Sequence, residues 1–181
     1  MGEPVDGTTL RRVMRRVPSP VVIVTASGAG KTRGITIGSM ASVALEPPLL
    51  SFNVNRSARM HEVMAAAEHF AVNVVTGEQV MLCRRFARPD LTGEEQFATV
   101  PHRTDEHDAP LLDDVAAILR CRPHARFEAG DHTVFVGEVV HANVHRDEAG
   151  AVVYYRHDYR RVSVDPSKAH SPVKRSSSVT S

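Results

Sequence analysis

The chain has no tryptophan, three tyrosines, six phenylalanines and two cysteines in 181 residues. So few aromatics offer no stacking platform for single-stranded nucleic acid. Lysine plus arginine exceed aspartate plus glutamate by one, so no global field draws the chain to nucleic acid or to a membrane. No apolar run reaches the roughly 18 residues of a membrane-crossing helix. The N-terminus, MGEPVDGTT, lacks the basic and apolar blocks of a signal peptide, and Asp6 stands where myristoylation requires Ser or Thr. Cys83 and Cys121 lie far apart among apolar neighbours, which reads as two buried thiols in a reducing compartment. These absences point to a cytoplasmic protein without nucleic-acid or membrane partners.

One motif tempts a different reading. Thr25–Ser39 reads TASGAGKTRGITIGS, with Gly-Lys-Thr at its centre. A phosphate-binding P-loop needs a glycine five residues before Gly30, and Thr25 is there instead. Gly34 and Gly38 stand where the following helix would have to run. Without that helix the dipole and free amides are missing. A Gly-rich hairpin turn between two strands fits better.

Around that turn the elements follow from local pattern. Thr8 or Thr9 caps a short helix carrying Leu10, Val13, Met14 and Val17, ended by Pro18 and Pro20. Ala41–Asn55 contains two extended stretches broken at Pro47-Pro48. Ser57 caps a helix to about Glu68, with Met60, Val63 and Met64 as its stripe. His69–Thr76 alternates as a strand, and Glu78–Ala87 reads as a helix with Val80, Met81, Cys83 and Phe86 inward. A polar loop runs to about Pro110; long strands follow at Val115–Ala129 and from His132, and AVVYYR closes the set. The order is not β-α-β-α. It predicts a mainly β domain over residues 8–163, a closed or split β-barrel with short helices at the rim. Residues 1–7 and the basic, Ser-rich 164–181 segment read as disordered.

Arg33–Pro48 is the segment richest in binding chemistry. Gly34 and Gly38 allow close approach to the backbone, and Thr36, Ser39 and Ser42 supply hydroxyls. Arg59 adds a guanidinium from the next helix. From composition alone, an ordinary strand with hydroxyls facing solvent is the better reading. His132 alone reads first as a histidine bonded to Asp131 or a turn carbonyl. His141 and His145 are four apart on a strand, roughly 13 Å at the strand rise, which does not favour a shared metal.

Taken in order, GITIGSMASVALEPPLLSFNVNRSAR, FAVNVV, LCRRFA, GDHTVFVGEVV and YYRHDYRRV resemble the flavin reductase family, from about Arg11 to Val162. That resemblance implies an FMN-binding split-barrel homodimer. It implies hydride transfer from NADH or NADPH to FMN or FAD, supplied to a flavin-dependent monooxygenase. Thr36, Ile37, Gly38, Ser39 and Ser42 match the segment lining the isoalloxazine and ribityl chain. Asn53, Val54 and Asn55 match the strand end at the ring edge. Arg59 with Met60, and Arg85 with Phe86 and Ala87, match phosphate and second-edge contacts. His132 matches the histidine on the nicotinamide side, the catalytic candidate, and Tyr159 an aromatic of the same pocket. The family often has aspartate where Glu46 stands here, and a glycine where Asp108 stands. Such an enzyme needs no nucleophile or acid–base pair, since the cofactors carry the chemistry. A flavin storage or sensor protein without nicotinamide turnover is the alternative reading.

Overall fold

A computed structural model describes residues 4–164. The order is α1 (Gly7–Met14), β1 (Ser19–Pro20), β2 (Val22–Gly28), β3 (Lys31–Ile37), β4 (Ala41–Leu45), β5 (Pro48–Asn55), α2 (Arg59–Ala66) and β6 (Phe70–Val74). Then come α3 (Val80–Phe86), α4 (Gly93–Phe97), β7 (His102–Thr104), β8 (Pro110–Leu112), β9 (Ala117–Ala129), β10 (His132–Val144), β11 (Ala151–Tyr155) and β12 (Asp158–Val162).

Seven strands form one antiparallel sheet in the order β3-β2-β6-β9-β10-β5-β4. Its first and last strands are neighbours in sequence, joined by Gly38, Ser39 and Met40 alone. So short a connection between opposite edges forces the sheet to curl until they face each other. They share no ladder, which makes the barrel split rather than closed.

Alternation along β2 and β6 sorts apolar side chains into two cores. Val22, Val24, Ala26, Phe70 and Val72 face the barrel interior with Phe52, Val54 and Phe135. Met60, Val63 and Met64 of α2 plug it. The opposite face carries Val21, Ile23, Ala71 and Val75, covered by Cys83 and Phe86 of α3, Phe97 of α4 and Leu112 of β8. Because both faces are covered, β6 is buried at four of its five residues and does not show the half-exposed alternation of a surface strand. Asn73 holds the outer layer: its amide donates to Ile23 O and Thr25 Oγ1 and accepts from Leu112 N.

The Gly-Lys-Thr stretch is a hairpin. Ala29 and Gly30 both have positive φ, 51° and 69°, between Gly28 and its partner Lys31. That is the backbone of a type I′ turn. Lys31 pairs with Glu62 rather than with a phosphate loop.

Several boundaries differ from expectation. Asp6, not Thr8 or Thr9, caps α1 by accepting from Thr9 N, so the ordered chain begins ahead of residue 8. Ser57 does not cap α2. Its N–H and hydroxyl both donate to Asn55 Oδ1, which leaves Ala58 at the cap. Met81 lies outward, 73% exposed, rather than on the inner stripe of α3. The stretch read as a polar loop contains α4, built on a Thr92–Glu95 capping box, and the β7–β8 pair. The 165–181 part of the tail lies outside the described residues.

Candidate functional site

As an edge strand, β3 presents unpaired backbone groups on its outer side. Two helices and a loop come down on that side and leave two cavities, of about 210 Å³ and about 540 Å³, that share Ala87 and Arg88.

The smaller cavity gathers positive charge. Arg33 from β3, Arg59 from the start of α2 and Arg88 after α3 line it, with Ser57 and Gln96. Arg33 is 8% exposed, and one nitrogen donates to Leu91 O at 2.7 Å. Burial and then the neighbouring Arg59 push its pKa down, the response of a cation short of counter-charge. Arg88 pairs with Asp90 in the same loop. No ion pair engages Arg59 among the described residues. No side chain caps α2, so its first N–H groups add partial positive charge at the same place. Three guanidiniums and a helix N-terminus with one carboxylate among them fit an anion such as a phosphate.

The larger cavity is walled by Thr36 and Ile37 of β3, by Gly38 just after it, and by Tyr154 and Tyr159 of the β11–β12 hairpin. Tyr159 is half-buried, and burial pushes its phenol up to about 12, so it stays neutral. Arg84 lies over its ring at 5.7 Å. Thr36 Oγ1 donates to Cys83 O at 2.7 Å, fastening β3 to α3.

The other expected residues divide. Ser39 Oγ accepts from Asn53 N at 2.9 Å, extending the β4–β5 pair past its first rung, with Ser42 beyond it on exposed β4. Asn55 lies opposite His132 in the β5–β10 ladder. His132 Nδ1 is 2.7 Å from Asp131 Oδ1, and that contact is the main reason the Asp131 carboxyl lies below its usual range. The bland reading of His132 therefore holds for Nδ1, while no hydrogen bond engages Nε2 among the described residues. Ile37, Val54, Met60 and Phe86 are buried apolar side chains and belong to the cores.

Arg85 corrects an expectation. Its Nε donates to Gln96 O at 2.7 Å and its terminal nitrogen to Glu95 O, so the guanidinium is committed to α4. His132 and Tyr159, expected in one pocket, line no common cavity. Arg33 and Arg88 were missed, because nothing in their local sequence separates them from surface arginines.

The fold and site define a class: a split barrel with an anion cavity beside a tyrosine-walled slot, along one sheet edge. Residues 14–163 match the family model described as a flavin reductase like domain. A Streptomyces globisporus NADH-dependent FAD reductase is 41% identical over 144 residues, covering 77% of this chain and 78% of its own. The solved NADH:FAD oxidoreductase of Streptomyces globisporus C-1027, in complex with NAD and FAD fragments, superposes with a TM-score of 0.80 at 36% identity, covering 91% of this chain and 99% of that one. The flavin reductase component of a bacterial two-component tryptophan halogenase gives a TM-score of 0.80 at 28% identity, covering 88% and 100%. The chain belongs to the flavin reductase family.

Proposed function

We propose that the chain is an NAD(P)H-dependent flavin reductase that passes reduced flavin to a partner oxygenase; one relative is named as the flavin reductase component of a bacterial two-component tryptophan halogenase. The observation that carries this reading is the anion cavity of Arg33, Arg59 and Arg88 set against the tyrosine-walled slot. The cavity holds the flavin phosphate of FMN, or the first phosphate of FAD. The Thr36–Ser39 backbone then runs beside the ribityl chain and ring, with Asn53–Asn55 at the ring edge. When bound, flavin supplies the acceptor for a hydride from nicotinamide.

The chain contributes placement and electrostatics. With its proton on Nδ1 and held by Asp131, His132 presents Nε2 as an acceptor for the nicotinamide amide. A second copy of the chain packs on the β4 side. Val43 and Leu45 of β4, Phe127 of β9 and Val140 and Val144 of β10 are exposed apolar residues. So are Leu10, Val13 and Met14 of α1, a helix with no buried residue.

The test is nicotinamide oxidation followed at its absorbance, with NADH and NADPH, each with and without added FMN or FAD. Oxidation that depends on added flavin is the expected result. A protein that binds flavin yet oxidises neither nicotinamide would instead be a storage or sensor protein.

A further inference from the structure

Gln96 is 1% exposed, and its side chain does what a neighbouring strand would do. Its Oε1 accepts from Gly34 N at 3.2 Å and its Nε2 donates to Gly34 O at 3.1 Å. Both Gly34 groups point away from β2, and an amide carries one acceptor and one donor at the spacing of a peptide group. The residue thus closes a single rung on the open edge of β3. Its own carbonyl is held from the other side by Arg85 Nε. Gly34 also lets α3 pack close to the same residue: a Cβ added there would stand 2.5 Å from the Phe86 ring. Gln96 therefore joins the β3 wall of the anion cavity to its α3 wall, side chain to one and backbone to the other. Arg33 stands next to Gly34 on the first wall. Arg88 lies two residues past Phe86 on the second.

We propose that Gln96 is a positioning residue for phosphate recognition, setting the separation between Arg33 and Arg88 across the cavity. The proposal rests on the phosphate reading of that cavity. It assigns a role in discriminating phosphorylated flavin from the bare ring system, exercised through Gly34 and Arg85.

The experiment compares FMN and riboflavin affinities by fluorescence titration for the wild type, Gln96→Met, Gln96→Leu and Arg59→Ala. Methionine keeps the length and removes both bonds; leucine removes both bonds and is one atom shorter, and neither adds charge to the cavity. Gln96→Met is expected to weaken FMN about tenfold, the worth of one or two buried hydrogen bonds. Riboflavin affinity stays within about twofold. Gln96→Leu shows the same FMN-selective loss, and serves alone if the methionine variant does not fold. Equal losses for FMN and riboflavin would assign Gln96 a general packing role and overturn the proposal. An unchanged FMN preference in both Gln96 variants, with the preference lost in Arg59→Ala, would overturn it while leaving the phosphate cavity standing. A preference unchanged in all three variants would remove the cavity reading and this inference together.

Discussion

The sheet has two edges, and they end differently. The β3 edge is finished within one chain: Gln96 closes a rung on Gly34, Arg33 reaches Leu91, and α3 and α4 bury Phe86 and Phe97 against it. The β4 edge is only five residues long, carries a bulge between Ser42 and Ala44, and leaves Leu45 83% exposed. Shortness and a bulge blunt an edge against open-ended pairing, while bare apolar side chains mark a contact surface. The arginine cluster is thus set on the edge that the chain itself finishes. A guanidinium cluster needs fixed geometry to hold an anion, whereas a contact surface is left bare.

The largest effect should come from the finished edge. Arg33→Ala combined with Arg59→Ala is expected to weaken FMN binding by about 2–4 kcal/mol, roughly 30- to 1,000-fold. Riboflavin should lose little in the same calorimetric titration. An equal loss of riboflavin would erase the division between the two edges. Next, Leu45→Asp places a charge on the unfinished edge and should weaken self-association by about 2 kcal/mol, some thirtyfold. Sedimentation over a concentration series reads this out. An unmoved dimer would shift the interface away from β4.

His132→Ala sits between the two regions. It should lower kcat/KM for the nicotinamide about tenfold, the worth of one hydrogen bond, with flavin affinity unchanged. Equal turnover of mutant and wild type would take His132 out of the site. The smallest signal comes from the buried thiols. Burial pushes Cys83 up to about 11 and Cys121 up to about 12, from an ordinary value near 9. The folded state therefore favours the thiol over the thiolate. Its contribution to stability is full below pH 9 and is lost as pH rises from 9 through 11 and 12. Alkylation at pH 8 should be slow in the native protein and rapid in urea. Fast native labelling of Cys83 would mean that α3 lifts from β3.

Much of this was legible in the sequence, for identifiable reasons. The hairpin at Gly28–Lys31 follows from Thr25 in the wrong place for a P-loop and from glycines that forbid its helix. The split barrel follows from strands in succession with no helical alternation. The α4 helix was also legible: Thr92-Gly-Glu-Glu95 has the spacing of a capping box. Ser57 misled, because a hydroxyl before a helix serves as a cap only if Asn55 has not already taken it. The three arginines were not legible as a group. Arg33 and Arg88 are distant in sequence, and only the meeting of an edge strand with a helix end makes them neighbours. Gln96 was hidden for the same reason, since its partner is the backbone of a glycine in another segment.

The three-residue link Gly38–Met40 has a consequence for how the barrel stays shut. From Ile37 to Ala41 the chain spans no more than about 14 Å when fully extended. The edges are thus leashed by chain length, without a single ladder bond between them. Loop-closure entropy sets the strength of such a leash, and it rises only slowly as residues are added. Lengthening the link by a few glycines should cost little in folding, yet would widen the gap between the two edges. The fold thereby carries a built-in gauge for the width of its own seam, adjustable by insertion without disturbing either core.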